Sequence, residues 1–532
     1  MSRITNQVMC AALLVAVTAA FAQAQIKTAT GAVKGKPVGG GITVYFGVPY
    51  AAPPVGDLRW KAPQPPQKWD GVRDASQTPA ACMQPKVFDD INFAKVSEDC
   101  LTLNVWVPDK AKKAPVMVWI HGGGFAAGGG DEPRHNGEAF AKKGVVLVTI
   151  NYRLGIFGFF AHPDLTKESP AHASGNYGLL DQIAALKWVK GNIAAFGGDP
   201  SNVTIFGESA GSFSVSALVA TPLAKGLFHK AIGESGAFFT LTERSMPLAA
   251  AEQQGATFAT TMQADSLASL RGKTAQEVMD AAGKAKAQFW PIVDGYVFPK
   301  PVPAIYAAGE QNHVPLLAGW NADEIRMAVT LNPNKPTVQS VTENAKKQFG
   351  DHADAIVKAY GATSDADALE AAAALGSDSF IGYGTWKWIE THLATGKSPV
   401  YRYSFDRKIP VPEGNMVMGR PATSADIGAR HAGEIEYVFG SLALSLPKTP
   451  WTDDDRKLSD TMTSYWANFA RTGDPSGPGL ATWPKYTADS RRVMHLDVTV
   501  KDAPEANRAR YEALDAYVKD QPAAAAPPSS SR

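Results

Sequence analysis

The sequence reads Val-Thr-Ile-Phe-Gly-Glu-Ser-Ala-Gly over residues 203–211, and this stretch predicts a strand that turns sharply into a helix. Its first four residues are β-branched or aromatic, which is typical of a strand. Residues 212–219 can continue the chain as a buried helix. Glycines on both sides of Ser209 let the backbone bend and leave the serine hydroxyl open to an approaching molecule. The G-x-S-x-G pattern in this setting therefore predicts that Ser209 is a nucleophile.

The segments around this turn predict an α/β fold. Residues 115–120 form a continuous apolar run and residues 145–153 begin with one, which is typical of central strands covered on both faces. Apolar residues then recur at helical spacing from Leu179 to Phe196. We therefore expect a central, mostly parallel β-sheet flanked by helices, with large helical and loop insertions and sites at the carboxyl ends of the strands. Further strands are expected at 42–50, 101–108, 314–319 and 400–405, the second of these with one face buried, and further helices at 366–375 and 458–469.

The overall composition is that of an ordinary globular protein. The 532 residues carry a formal net charge of +1 and 19% of them are charged, so nothing supports a nucleic-acid partner. The chain has no internal repeat and no clean linker, so residues 25–520 are expected to form one domain. The tail at 521–532 is rich in alanine, proline and serine and is expected to be disordered.

The N-terminus is typical of an export signal. Arg3 precedes an apolar stretch at 8–21, and Ala22-Gln23-Ala24 is an A-x-A cleavage pattern, so residues 1–24 are expected to be a cleaved signal peptide. The stretch is too short to span a bilayer, so we expect a secreted or periplasmic protein without a membrane span. The alternative is a cytosolic protein with an apolar N-terminal helix.

Cleavage at this point would leave two of the three cysteines, Cys82 and Cys100, in the mature chain. In an oxidising compartment such a pair is expected to form a disulfide. The alternative is two unpaired, buried thiols.

A serine nucleophile needs a neighbouring base and an acid that orients the base, and the chain offers candidates for both. In α/β-hydrolases the acid and then the histidine follow the serine along the chain. His431 lies in a glycine-flanked loop at 428–433, which suits a catalytic imidazole better than the settings of the other histidines after Ser209. Asp323 and Glu324 follow an expected strand, and the sequence alone does not separate them. The alternatives are a surface or capping histidine and an ordinary exposed acidic turn.

A glycine-rich loop at 121–125, His-Gly-Gly-Gly-Phe, follows one of the expected central strands. Loops of this HGGG type donate backbone N–H groups to the negative oxygen that develops during acyl transfer. Gly123 and Gly124 are the expected donors, together with Ala210, which follows the nucleophile. A phosphate-binding loop is the alternative, but no lysine–serine pair and no G-x-G-x-x-G pattern accompany these glycines. A second run of glycines at 128–130 is interpreted as flexible.

Several separate stretches together resemble the type B carboxylesterase and cholinesterase-like family of α/β-hydrolases, in its bacterial-type secreted form. The matching stretches are 196–211 around the serine, 97–106 around the second cysteine, 151–155, 428–440 and 466–475. The resemblance implies an α/β-hydrolase fold, with Glu324 rather than Asp323 as the acid and His431 as the base. It further implies Gly123, Gly124 and Ala210 as the oxyanion donors and a disulfide between Cys82 and Cys100.

The resemblance implies a serine carboxylic-ester hydrolase that acts on small-molecule esters through a Ser-Glu-His triad and an acyl-enzyme, without a cofactor or metal. Phe289 and Trp290 fall where this family places acyl-pocket residues, so they are candidate substrate-binding residues. Residues 83–99 contain no tryptophan or tyrosine, so a cation–π site for choline, as in cholinesterases, is not expected there. An amide or carbamate hydrolase with the same triad is one alternative. A non-catalytic adhesion protein of the same fold is another, although such relatives typically lose the serine.

Overall fold

The computed structural model describes residues 25–86, 93–241, 245–417 and 419–521. The expected signal peptide and the expected disordered tail, apart from Gln521, lie outside these residues. Among the residues described, no helix is both long enough and apolar enough to cross a membrane.

An eleven-stranded sheet runs through the centre of the molecule. Numbered along the chain, its strands are β1 Lys36–Gly39, β2 Ile42–Pro49, β3 Thr102–Pro108, β4 Ala114–Ile120, β5 Val146–Ile150, β6 Gly198–Glu208, β7 Lys230–Glu234, β8 Leu316–Asn321, β9 Val400–Phe405, β10 Arg492–Leu496 and β11 Lys501–Pro504. They lie side by side in the order β11-β10-β9-β8-β7-β6-β4-β5-β3-β2-β1. All pairs from β10 to β5 are parallel, and the pairs at both edges are antiparallel. The mostly parallel sheet is confirmed at its centre, and antiparallel edge strands make the whole sheet mixed.

Two hydrophobic cores lie on opposite faces of this sheet. Along β4, Val116, Val118 and Ile120 belong to one core, and Met117 and Trp119 belong to the other. Successive side chains of a strand point to opposite faces, so the two cores sandwich the sheet. The helix Tyr177–Asn192 packs in the first core and the helix Asp453–Thr472 in the second, which confirms two of the predicted helices.

The remaining elements surround the sheet. The other α-helices are Glu138–Lys142, Gly155–Phe159, Pro163–Glu168, Ala210–Ala220, Leu248–Thr261, Leu267–Arg271, Ala275–Lys284, Val302–Ala307, Arg326–Thr330, Val338–Phe349, Ala353–Tyr360, Asp365–Ser377, Tyr383–Thr395, Ser424–Ile427, Ile435–Phe439, Leu442–Ser445 and Arg508–Asp520. Short 3₁₀ turns lie at Gly56–Leu58, Pro133–His135, Ile193–Phe196, Pro222–Ala224 and Gly350–His352, and a π-helical turn lies at Asp378–Gly382. Small separate sheets pair Gln25–Lys27, Ala32–Lys34 and Val72–Asp74, then Ala81–Cys82 with Val96–Ser97, and Met416–Val417 with Arg420–Pro421.

Strand β3 departs from the expectation of one buried face, because all of its first five residues are buried. Val105 packs in the first core and Trp106 in the second. The polar position at Asn104 is buried as well, and its amide donates to Thr149 Oγ1 over 3.1 Å. The polar residue Asn104 in the alternating pattern of β3 therefore forms a buried hydrogen bond and does not face solvent.

Glycines 128–130 are held tightly, so the interpretation of this run as flexible is wrong. Each of the three amides donates a hydrogen bond to a side-chain oxygen, over 2.8 Å to Gln84, 3.1 Å to Glu132 and 2.8 Å to Asn151. Glycine is required here because neighbouring groups occupy the space that a Cβ would need.

Cys82 and Cys100 are joined by a disulfide, as expected. Both residues are almost fully buried and belong to the first core. The alternative of two unpaired thiols is therefore not what the structure shows.

Candidate active site

Ser209 forms the turn between β6 and the helix Ala210–Ala220, in a backbone conformation that residues other than glycine rarely adopt (φ 54°, ψ −121°). Strand β6 has β4 and β7 as neighbours, so the turn lies at the carboxyl edge of the parallel part of the sheet. A Cβ on Gly211 would collide with the carbonyl oxygen of Ile120. The glycines of the motif thus let the turn pack directly against β4 while the serine is held at its tip.

His431 lies between Ser209 and Glu324. Its Nε2 is 3.0 Å from Ser209 Oγ, and its Nδ1 is 2.6 Å from Glu324 Oε2. The carboxylate of Glu324 also accepts the amide of Asn321 over 2.8 Å, and the backbone amide of His431 donates to the carbonyl of Glu324 over 3.1 Å. Asp323 is turned elsewhere and accepts the amide of Ala429 over 3.0 Å. Only the second of the two candidate acids therefore reaches the histidine.

The glycine loop after β4 lies beside the serine. A Cβ on Gly122 would be 3.2 Å from the Cβ of Ser209. Gly123 and Gly124 have positive φ angles of 97° and 64°, and their amides donate to no other described residue. Ala210 is the first residue of its helix, so its amide has no partner within the helix. The loop and the helix start thus offer backbone N–H groups at the side of Ser209.

Three further glutamates are buried around His431, and each is at most 3% exposed. Oε1 of Glu208 lies 3.2 Å from His431 Nε2, the same atom that faces the serine. Glu434 accepts the side-chain amide of Asn321 over 2.6 Å, and Glu234 accepts the indole N–H of Trp466 over 2.7 Å. No motif in the sequence points to Glu234 or Glu434, although the first ends a central strand and the second lies three residues after His431.

Burial and mutual repulsion shift the protonation of this cluster. Burial raises the pKa of Glu208 to about 7. Burial, together with the charges of Glu208 and Glu324, raises the pKa of Glu434 to about 8, and burial with Glu434 raises the pKa of Glu234 well above its ordinary value. Burial alone would lower the pKa of His431, but the carboxylates of Glu208 and Glu324 outweigh it and raise this pKa to about 9. The cluster therefore favours a positive charge on the histidine.

The two candidate substrate-binding residues have different ring partners. The ring of Trp290 lies 4.8 Å from the ring of Phe125, which is the last residue of the glycine loop. It lies 5.7 Å from the ring of Phe213, which is one helical turn after Ser209. Phe289 instead packs with Phe160 and Phe258 at 6.2 and 6.1 Å. Trp290 thus packs between the glycine loop and the helix that follows Ser209, whereas Phe289 adds contacts to a second aromatic cluster, and both residues line one small cavity.

Phe380 is an aromatic neighbour of the site that the sequence analysis missed. It lies on the π-helical turn Asp378–Gly382, is 38% exposed, and holds its ring edge-on to His431 at 5.0 Å. Among the described residues, no three or more His, Cys, Asp or Glu side chains form a group that could hold a metal ion.

Comparison with known proteins identifies the family of this chain. The family model described as "Carboxylesterase family" matches residues 22–514. The chain is 39% identical to a fumonisin B1 esterase of Sphingopyxis macrogoltabida, over 86% of this chain and 84% of that protein. It is 36% identical to a para-nitrobenzyl esterase of Bacillus subtilis, over 91% of this chain and 97% of that protein.

Solved structures of esterases superimpose on this chain over most of its length. A PNB esterase structure superimposes with a TM-score of 0.79 at 34% identity, covering 92% of this chain and 99% of the other. A carboxylesterase of Geobacillus stearothermophilus superimposes with a TM-score of 0.80 at 32% identity, covering 92% and 100% of the two chains. The sequence match, the shared fold and the serine turn at the carboxyl edge of the sheet show that this chain belongs to the carboxylesterase family of α/β-hydrolases.

Proposed function

We propose that this protein hydrolyses carboxylic esters with Ser209 as nucleophile, His431 as base and Glu324 as the acid that orients the base. One observation carries the proposal: the continuous arrangement in which His431 is 3.0 Å from the serine hydroxyl and 2.6 Å from the glutamate. In its neutral form, an imidazole held in this way donates Nδ1–H to the carboxylate and can accept the serine proton at Nε2. Membership of the carboxylesterase family supports the same chemistry.

In the proposed reaction, Ser209 Oγ attacks the ester carbonyl carbon and transfers its proton to His431 Nε2. The tetrahedral intermediate collapses, and the imidazolium gives that proton to the leaving alcohol. Water then attacks the acyl-enzyme by the same route and releases the acid. The N–H groups of Gly123, Gly124 and Ala210 would stabilise the negative oxygen at both stages.

The charge that develops on His431 would be stabilised from two directions. Glu324 lies at Nδ1, and Glu208 lies 3.2 Å from Nε2, the atom that receives the serine proton. Because both carboxylates are buried, water screens their attraction for the imidazolium only weakly. We therefore assign Glu208 to stabilisation of the protonated base.

The acyl group is proposed to lie against Trp290. This ring packs with Phe125 and Phe213, so it closes the space beside the nucleophile and should favour short acyl chains. Trp290→Ala should raise kcat/KM for long-chain relative to acetyl nitrophenyl esters by about tenfold. Phe289→Ala is the matched control, because its ring packs elsewhere, and it should leave the preference unchanged. An unchanged preference in both variants would remove Trp290 from the acyl site.

The assignment of the nucleophile is tested by Ser209→Ala. Turnover of a nitrophenyl ester should fall by about four orders of magnitude or more, with the melting temperature retained. Ser464→Ala is a suitable control, because this exposed hydroxyl only bonds to the carbonyl of Asp460 within its own helix. Near-normal hydrolysis by Ser209→Ala would reject the proposal. Faster cleavage of matched amides or carbamates than of esters would favour that alternative class instead.

The protein is proposed to act outside the cytoplasm. The disulfide between Cys82 and Cys100 supports this location, because such bonds persist in oxidising compartments. N-terminal analysis of the exported protein should find a mature chain that begins at Gln25. Retention of residues 1–24 in a cytosolic protein would contradict the proposed location.

A further inference from the structure

Gln84 links Cys82 of the disulfide to Gly128, which lies next to the glycine loop beside Ser209. Its side-chain amide donates to the carbonyl of Gly128 over 2.9 Å and to the carbonyl of Cys82 over 3.0 Å. Its carbonyl oxygen accepts the amide of Gly128 over 2.8 Å. The side chain is only 8% exposed, so this pair of bonds to both backbone groups of Gly128 is shielded from water.

Gly128 in turn lies directly against the start of the oxyanion loop. Its backbone has a φ of 111°, and a Cβ there would lie 2.7 Å from the carbonyl oxygen of Gly122 and would collide with the His121 ring. The carbonyl of the preceding residue, Ala127, occupies the space beside Gly123 in the same way. A shift of Gly128 would therefore push on His121, Gly122 and Gly123 together.

The loop is also fixed by its own histidine, whose ring lies next to Gly128. His121 Nδ1 lies 2.9 Å from the carbonyl of Gly122, and Tyr152 donates its hydroxyl to the carbonyl of His121 over 2.9 Å. The two rings stack at 4.4 Å. His121 thus packs against both Tyr152 and Gly128 at the start of the loop, and Gln84 is the side chain that fixes Gly128.

We propose that Gln84 is a positioning residue for the oxyanion hole, an inference that rests on the proposed function. It touches no reacting atom and acts by holding the amides of Gly123 and Gly124 at the place where the negative oxygen develops. Such amides stabilise the transition state only when they are already oriented. Loss of Gln84 should therefore weaken transition-state binding more than ground-state binding, which lowers kcat with little change in KM.

The test is Gln84→Met, which keeps the length of the side chain and removes its hydrogen bonds to Gly128. We expect kcat to fall by about 10- to 100-fold while KM stays within about threefold, less than the loss caused by deleting an oxyanion donor. The inhibition constant of a trifluoromethyl ketone, which forms a tetrahedral adduct, should rise by the same factor as kcat/KM falls. Melting temperatures recorded alongside separate these changes from unfolding.

Gln64→Met is the matched control, because this exposed glutamine donates only to the carbonyl of Ala62, two residues away. It should leave both kcat and the inhibition constant unchanged. Should Gln84→Met fail to fold, Gln84→Glu answers the same question, since it keeps the acceptor for the Gly128 amide and loses the donor. Wild-type kcat and wild-type ketone affinity in a folded Gln84 variant would overturn the inference and leave the esterase proposal intact. Failure of wild-type enzyme to hydrolyse esters or bind the ketone would instead reject the proposed function.

Discussion

The two sides of Ser209 are built from different kinds of group. On one side lie backbone amides, from the glycine loop after β4 and from the first residue of the helix Ala210–Ala220. On the other side, His431 lies beside the buried carboxylates of Glu208, Glu324 and Glu434, which come from three separate segments of the chain. The backbone amides themselves do not titrate, whereas the histidine side is dominated by carboxylates whose pKa values influence one another.

This difference separates two tasks. Backbone amides can be oriented once by folding and then stabilise a negative oxygen at any pH. A base must change its charge during each cycle, so its surroundings have to stabilise the imidazolium without preventing proton transfer. Substitutions on the histidine side should therefore alter the pH dependence of turnover. Substitutions of residues that hold the amides should change the turnover rate without changing its pH dependence.

The largest effect on the histidine side is expected from Glu324→Gln. The variant keeps the shape of the side chain but no longer stabilises the protonated histidine or its tautomer, so kcat should fall by about 10³- to 10⁴-fold. Asp323→Asn makes the same chemical change one residue earlier, where the carboxylate accepts the amide of Ala429 instead of facing the histidine. Its kcat should stay within about threefold of wild type. Equal losses in the two variants would contradict the assignment of Glu324.

Glu208→Gln should have a smaller effect and a distinct pH signature. The Glu208 carboxylate helps to raise the pKa of His431 to about 9, so removing its charge should lower that pKa. Because the base acts in its neutral form, the rise of kcat/KM with pH should move to lower pH in the variant. Above this rise, kcat should be lower by about 10- to 100-fold, because the imidazolium of the transition state loses a nearby carboxylate.

The measurement for Glu208→Gln is a pH profile of kcat/KM from about pH 5 to about pH 10 for the variant and the wild type. A profile that keeps its midpoint while losing amplitude would mean that Glu208 acts through structure and not through its charge.

The smallest effect on turnover is expected from Glu234→Gln, which should change kcat by no more than about twofold. Burial, together with the charge of Glu434, raises the pKa of Glu234 in the folded state above its value in the unfolded state. The unfolded state therefore loses this proton first as the pH rises, and stability falls between the unfolded and the folded pKa. The glutamine keeps an acceptor for the Trp466 indole but carries no charge. As the pH rises above the ordinary pKa of a glutamate, the melting temperature of the variant should therefore fall less steeply than that of wild type. An equal change of melting temperature with pH in the variant and the wild type would contradict a raised pKa for Glu234.

Local sequence patterns predicted the elements nearest the serine, because a strand, a glycine turn and an apolar helix depend on neighbours along the chain. They failed where distant segments meet. Glu234 bonds to Trp466, 232 positions later, and Gln84 bonds to Gly128, 44 positions later, and no local pattern indicates either contact. The expectation for β3 failed for the same reason, since its polar residues are covered by other parts of the chain.

The choice between the two acidic candidates shows the same limit. Asp323 and Glu324 are adjacent and follow the same strand, so the residues alone left both open. The resemblance favoured Glu324, and in the structure only this carboxylate lies against His431. Its role as the catalytic acid stays a prediction until the two variants are measured.

The most direct test of the central claim is the reaction of the enzyme with diethyl nitrophenyl phosphate, which phosphorylates an activated serine irreversibly. We predict release of about one nitrophenolate per protein molecule, a matching increase in intact mass, and a diethylphosphoryl group on the peptide that contains Ser209. The Ser209→Ala variant should show none of these. Labelling at another residue, or equal labelling of the variant, would contradict the claim that Ser209 is the nucleophile of this carboxylesterase.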